Sequence, residues 1–153
     1  MSKRYAAAIA IATTMLTGFE GVRRVAYYDP VGIPTVCMGE TRGVKIGDIY
    51  SLDECKAMST AAVAEFALGV ENALKVPVPD KTFAAFVSFS YNLGLGVFKR
   101  DIAPLANGGN LVAACSKMKG YVYARKIKLP GLVKRRNEEV SICLGGLKSS
   151  LRL

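Results

Sequence analysis

Glu20, Asp29 and Thr35 place an acid, a second carboxylate and a hydroxyl within sixteen residues, in the stretch GFEGVRRVAYYDPVGIPTVCMGET from Gly18 to Thr41. Cleavage of a sugar bond requires such a set. One carboxyl protonates the leaving oxygen, and the other group positions water or stabilises positive charge. A random Glu/Asp pair is usually a pair of solvated surface charges, and that is the competing reading here. Context favours chemistry. Glu20 follows Leu16 and Phe19, which at helical spacing face a core. A carboxyl beside apolar groups keeps its proton to higher pH, as a general acid must.

Elements that could position these residues are legible around them. Residues 25–29 and 33–38 read as short strands on either side of Pro30-Val31-Gly32, a turn with Gly where positive φ is easy. Such a hairpin brings Asp29 and Thr35 near each other, close to the end of the helix that carries Glu20. Ser51-Leu52-Asp53-Glu54 is a capping box. It starts an Ala-rich helix over 52–75, long enough to link two lobes. Pro77 and Pro79 end that helix, and Asp80 can cap the next. In 81–93, Phe83, Phe86, Val87 and Tyr91 recur at i, i+3, i+4 and i+8, a buried stripe. Asn110 can cap a helix over 111–119, and Gly145-Gly146 reads as the C-cap of the last helix.

The pattern E-x8-D-x5-T, set in EG…YxDxxGxxTxxxGxT, resembles the catalytic signature of phage-type lysozymes, the endolysins of glycoside hydrolase family 24. The matching residues are Glu20, Gly21, Tyr27, Asp29, Gly32, Thr35, Gly39 and Thr41. The resemblance extends from about Gly18 to Gly146. FVSFSYNLGLGVF is similar to the central helix of the family's larger lobe, with Asn92 and Gly94 at its end. GLVKRRNEE, from Gly131 to Glu139, is similar to the family's GLxxRRxxE helix. There are departures. Glu40 stands where members often have His, and Cys37 where many have Gly. Asp101-Ile102-Ala103-Pro104 replaces a frequent Ser-Thr-Leu, and Tyr121 replaces a frequent Trp.

The resemblance implies an α+β fold, mainly helical, as a single domain over 1–153. A small β-hairpin lobe over 20–50 would be joined by a long linking helix to a helical C-terminal lobe, with the cleft between them. It implies a muramidase that hydrolyses the β-1,4 bond between N-acetylmuramic acid and N-acetylglucosamine in bacterial peptidoglycan, for host cell lysis. Glu20 would be the general acid. Asp29 would orient water or stabilise the oxocarbenium-like transition state, and Thr35 would help hold that water. Asn92 and Tyr121 are candidate substrate-binding residues, with a core role as the alternative for Tyr121. Arg135, Arg136 and Glu138 read as structural ion pairs or wall contacts. Glu40 adds a third carboxylate near the site. No metal or organic cofactor is needed, and a monomer is expected.

Composition narrows the alternatives. The chain has 153 residues, 51% of them hydrophobic, and no low-complexity run or repeat. There is no His, which excludes His-based triads and His-ligated metals. The net charge is +9, and residues 117–153 hold 10 basic and 2 acidic side chains, so nearly all the excess lies in the last quarter. Such a patch implies an anionic partner or a solvated face. With no aromatic-interleaved basic motif and no zinc-finger spacing, nucleic acid is not the expected partner. A non-catalytic cationic wall- or membrane-binding protein is the competing function.

Cys37, Cys55, Cys115 and Cys143 lack CxxC spacing. They read as two disulfides outside the cytoplasm, or as four reduced core thiols. Of the three pairings, Cys37–Cys55 and Cys115–Cys143 are preferred, because each joins neighbouring elements of one lobe. Lys3 and Arg4 precede an apolar run over 5–16. That segment is either an ordinary buried first helix or a weak signal anchor giving transient membrane association through residues 5–19. Some endolysins of the family carry an uncleaved anchor that later leaves the membrane. The expected destination is the host periplasm and cell wall, reached by that anchor or by a separate pore, from a cytoplasmic or membrane-held state before lysis.

Overall fold

The computed structural model describes residues 5–151, apart from the side chains of Glu20, Ser149, Ser150 and Leu151; the basic pair Lys3 and Arg4 lies outside the described residues. The chain runs through α1 (Ala6–Glu20), β1 (Arg23–Tyr28), β2 (Pro34–Cys37), α2 (Leu52–Ala73), α3 (Asp80–Leu93) and α4 (Leu95–Val97). A π-helical turn (Phe98–Ile102) leads into α5 (Ala103–Asn107) and α6 (Leu111–Lys117). A 3-10 turn (Met118–Gly120) then leads to β3 (Tyr123–Ala124), β4 (Ile127–Lys128) and α7 (Pro130–Leu151). The strands form two antiparallel pairs, β1–β2 and β3–β4. The fold is α+β and mainly helical, as expected.

Two hydrophobic clusters divide the molecule. Ala26, Val36, Cys37, Val44 and Cys55 make a small core beside the first hairpin, with Tyr50 and Met58 packed on it. Val63, Ala67 and Val70, farther along the same helix α2, belong to the large core with α1, α3 and the C-terminal helices. Thus α2 starts in one lobe and ends in the other. Its 22 residues span about 33 Å at 1.5 Å per residue. The capping box holds its start. Ser51 Oγ accepts from Glu54 N at 3.0 Å, and Glu54 Oε1 accepts from Ser51 N at 3.0 Å.

Helix α3 is the centre of the large lobe. It is buried all round from Thr82 to Ser90, not along one stripe, because α1, α2 and α7 all pack on it. Phe83, Phe86, Phe89 and Phe98 are fully buried, each worth about 1.5–3 kcal/mol on transfer from water. Tyr5 stacks on Phe83 with ring centroids 3.7 Å apart, so the beginning of α1 is pinned to the beginning of α3. The face of α1 turned to this core is made by Ala8, Ala12, Met15 and Leu16. Among the described residues no helix is long and apolar enough to cross a membrane.

Three local expectations are corrected. Asp80 is the first residue of α3 rather than its cap. Pro79 occupies the cap position and no side chain bonds the helix start there. Gly145 and Gly146 do not end α7, which continues to Leu151. Gly146 serves close approach instead: a Cβ there would meet Thr82 Oγ1 at 2.6 Å and Thr82 N at 2.9 Å. At the same crossing Thr82 Oγ1 donates to Cys143 O at 2.8 Å. Third, the buried acid of the GLVKRRNEE stretch is Glu139, while Glu138 faces solvent.

Glu139 anchors a polar network inside the large core. It ion-pairs with Arg136 and with Arg135, the latter at 3.4 Å, and accepts from Ser88 Oγ at 2.5 Å. Arg136 also donates to Asn92 Oδ1 and to Tyr121 O, and its guanidinium lies 5.2 Å from the Phe89 ring centroid. Burial, its largest influence, pushes the Arg136 guanidinium below its ordinary value, and the contacts with Glu139 oppose the shift. Disulfides hold each lobe. Cys37–Cys55 ties β2 to α2, and Cys115–Cys143 ties α6 to α7. Loops of such length give about 3 kcal/mol per bridge.

A second polar brace lies beside α3. The Tyr121 hydroxyl donates to Asp101 Oδ2 at 2.5 Å, and Arg100 holds Asp101 Oδ1 at 2.9 Å. The Arg100 hydrogen bond, then that of Tyr121, brings the Asp101 carboxyl down to about 2. Burial, then the Asp101 hydrogen bond, pushes the Tyr121 phenol up to about 12.

Three outcomes follow. Glu139→Gln leaves two buried guanidinium groups with a neutral partner and should destabilise the fold by about 3–5 kcal/mol, read as a lower denaturation midpoint in urea at pH 7. An unchanged midpoint would show that the network adds nothing to stability. In an absorbance titration at 295 nm, an ionisation step near pH 12 should be present, and Tyr121→Phe should remove it. Because the folded-state value of Asp101 is depressed, its contribution is present above the ordinary aspartate value of about 3.9 and is lost as the pH falls toward 2. Carboxyl NMR should therefore place its midpoint near 2, and Arg100→Ala should raise it.

Candidate active site

The three sequence-selected residues lie on consecutive elements. Helix α1 ends at Glu20, and Gly21 follows with φ 65° while its N–H bonds Thr17 O at 3.0 Å. That left-handed residue stops the helix and turns the chain into β1 two residues later. The Glu20 side chain lies outside those described. The hairpin is registered by the pairs Arg23↔Cys37, Tyr27↔Thr35 and Tyr28↔Pro34, with an irregularity between Arg23 and Tyr27. Both strands are slightly displaced from the ranges read in the sequence: β1 begins at Arg23 and ends at Tyr28, and β2 begins at Pro34 and ends at Cys37.

Asp29 organises the turn. Its Oδ1 accepts from Val31 N and Ile33 N, both at 2.9 Å, and its own N–H donates to Ile33 O at 2.9 Å. Thr35 Oγ1 donates to the same Ile33 carbonyl at 2.8 Å. One carbonyl thus fixes both residues. Asp29 Oδ2 has no hydrogen-bond partner among the described residues and remains free to accept from water. Thr35 is only 3% exposed. Its hydroxyl proton is committed, so toward anything else it can only accept.

The end of α1 is braced by α7. The Arg135 guanidinium lies 4.8 Å from the centroid of Phe19, the residue before Glu20, and donates to Ser88 O at 3.3 Å. Arg125 Nη2 lies 3.5 Å from Val31 O, so the tip of the β3–β4 hairpin meets the Asp29 turn. Arg125 and Lys126 form that tip with φ of 50° and 68°. Sequence reasoning did not select Arg125, since an Arg-Lys pair carries no signal for a left-handed turn. Arg135 stood in a recognised stretch, but its contact with Phe19 joins residues more than a hundred positions apart.

Asn92 and Tyr121 are brought together, around Arg136. Asn92 Oδ1 and the Tyr121 carbonyl both accept from that guanidinium. The Tyr121 ring meets Phe89 edge-on at 5.2 Å, and its hydroxyl is taken by Asp101. These contacts assign Tyr121 a bracing role in the fold. Asn92 keeps its amide nitrogen without an acceptor among the described residues. Glu40 sits at the far end of β2, where Oε1 accepts from Arg42 N at 3.3 Å and from Arg42 Nε at 3.2 Å. A cavity of about 630 Å³ is lined by Lys128, Pro130, Val133, Lys134 and Asn137 with Glu138 and Ser141. None of Asp29, Thr35, Asn92 and Tyr121 is among its lining residues.

Comparison with known proteins gives a consistent picture. The family model described as phage lysozyme matches residues 17–139. The SAR-endolysin of Enterobacteria phage PA-2 is 35% identical over 147 residues, covering 91% of this chain and 89% of that protein. The endolysin from Escherichia coli O157:H7 phage FAHEc1 superposes with a TM-score of 0.80 at 29% identity, over 88% of this chain and 90% of its own. The active form of P1 phage endolysin Lyz gives 0.81 at 25% identity, over 90% and 84%. The chain belongs to the phage lysozyme family, as a glycoside hydrolase of the lysozyme type with a muramidase-type, peptidoglycan-hydrolysing lytic function.

Proposed function

We propose that Glu20, Asp29 and Thr35 carry the hydrolysis of the β-1,4 bond between N-acetylmuramic acid and N-acetylglucosamine. The observation that supports this most is the Ile33 carbonyl, which holds the Asp29 backbone and the Thr35 hydroxyl in one turn just after the helix that ends at Glu20. Glu20 protonates the glycosidic oxygen as the bond breaks. Positive charge then develops on the sugar ring, and Asp29 stabilises it or orients the attacking water through Oδ2. Thr35 accepts a hydrogen bond from that water. Asn92, held by Arg136, contributes its free amide nitrogen to substrate.

Glu20→Gln is nearly isosteric and removes only the transferable proton. Peptidoglycan turbidity clearance by this variant should fall by at least a hundredfold, with an unchanged circular dichroism spectrum. Wild-type-like turnover from the folded variant would remove Glu20 from the mechanism.

The same reading extends to location. Several relatives are named SAR-endolysins. We infer export of this chain to the periplasm, with residues 5–19 held transiently at the membrane before they pack as α1. What supports the inference is the composition of α1, whose Ala- and Thr-rich apolar run has a lower membrane affinity than a leucine-rich span. Fractionation of cells expressing the full chain should find it in the membrane while the membrane potential stands, and in the periplasm after collapse. Recovery in the cytosol under both conditions would leave export to a separate pore.

A further inference from the structure

The positive excess of the last quarter is concentrated on a surface that the proposed chemistry does not use. Strands β3 and β4 form a short hairpin with Tyr123 opposite Lys128 and Ala124 opposite Ile127. Opposed residues share a face and successive residues alternate, so Tyr123 and Ile127 lie on opposite faces. Both are exposed, at 60% and 63%. Both faces of the hairpin therefore meet solvent, and Arg125 and Lys126 form its exposed tip. Its root adjoins an open face of α7. Pro130, Val133, Lys134 and Asn137 recur there at helical spacing and, with Lys128 of β4, line the cavity of about 630 Å³. At the tip, Arg125 reaches the Val31 carbonyl, and the turn it meets carries exposed Tyr28, Val31 and Ile33.

We propose that the β3–β4 hairpin and the adjoining face of α7 dock on an anionic phospholipid bilayer. The proposal goes beyond peptidoglycan cleavage and does not rest on it. Charge points to the partner. Lys117, Lys119, Arg125, Lys126, Lys128 and Lys134 are all exposed, and Glu138 is the one acid in residues 117–138. Lys126, Lys128 and Lys134 have no ion-pair partner among the described residues, so their charge is available to lipid phosphates. Each basic side chain close to an anionic leaflet adds attraction. The apolar groups point to a bilayer rather than a soluble polyanion. Tyr123 offers a ring with a polar tip, which suits the headgroup level. Ile127 offers apolar surface beside the tip, and Pro130 and Val133 offer it within the groove. Lysine stems can lie along such surface while their ammonium groups reach phosphate. The carboxylates of peptidoglycan would satisfy the lysines, but its sugars and short peptides offer little to Ile127 and Val133. No residue of α1 lines the groove, so this contact is separate from any that residues 5–19 make.

The chain has no Trp, so Tyr123→Trp puts a single fluorescent reporter on the hairpin without altering a charge. With vesicles of phosphatidylglycerol and phosphatidylcholine its emission should move to the blue. With vesicles of phosphatidylcholine alone, or with peptidoglycan, it should not move. In sedimentation of the full chain with the anionic vesicles, Lys128→Glu combined with Lys134→Glu should weaken binding about tenfold or more. Ile127→Ser should weaken it about threefold. Lys56→Glu combined with Lys99→Glu removes the same charge from α2 and the π-helical turn and should weaken binding by no more than about threefold. Circular dichroism checks that each variant is folded, and the reporter reads the same contact should a double variant fail to fold. A reporter that stays unshifted on anionic vesicles, or that shifts equally on phosphatidylcholine, overturns the docking surface. So does an equal loss in the two double variants, since net charge rather than this face would then bind. A loss of peptidoglycan binding in the Lys128 and Lys134 variant as large as its loss of vesicle binding would assign the face to the wall instead.

Discussion

Everything in the large lobe converges on the buried ion cluster of Arg135, Arg136 and Glu139. Its charges are withdrawn from water, so each must be repaid by close partners, and those partners sit on three different segments. Ser88 and Asn92 come from α3, the Tyr121 carbonyl from the turn before β3, and Phe19 from the end of α1. The arginines therefore fix where three chain segments stand relative to α7. The end of α1 is the segment that matters most, because Glu20 follows Phe19 directly. A purely apolar core of the same volume could match this stability. It would not set the azimuth of α1 so closely, since apolar contacts are not directional.

The small lobe solves a different problem with a covalent device. Cys37 has φ 59°, a left-handed conformation that costs a non-glycine residue about 1–2 kcal/mol. Family resemblance places Gly there in many members, which is the residue such a backbone favours. Here Cys37 accepts the strain and bonds Cys55 at the start of α2, and a bridge of that loop length offsets it with about 3 kcal/mol. The small core has few residues, so without the bridge β2 would depend on little more than Val36 and Val44. The strand that carries Thr35 is thus tied to the helix that spans both lobes.

How much of this was legible depended on range. Local signals read well: the capping box at Ser51 and Glu54, the Asn110 cap, and the Pro30–Gly32 turn each act within four residues, and each forms. Long-range facts read poorly. Gly145-Gly146 looked like a helix end because local rules know nothing of Thr82, whose close crossing is why Gly146 lacks a side chain. The acidic neighbours Glu138 and Glu139 have the same chemistry, and only the rotation of α7 against α3 decides which is buried. For Tyr121 the sequence left sugar stacking and a core role open, and the distant Asp101 and Phe89 that hold its hydroxyl and ring carry no local signal. Asp29 and Thr35 were expected near each other because the turn that joins them lies in one short stretch, and they share the Ile33 carbonyl.

Strand β2 also has unlike electrostatics at its two ends. At the Asp29 turn, Arg125 reaches the Val31 carbonyl from the other lobe, with Lys126 beside it. At the opposite end, Glu40 and Glu65 hold Arg42 between them. Arg125 and Lys126 keep left-handed backbone that Asn or Gly would adopt at lower cost, so that tip is cationic against its own conformational preference. Thr35 lies between the two ends, on the same four-residue strand. A polyanionic polymer laid along β2 would therefore meet attraction at one end and repulsion at the other.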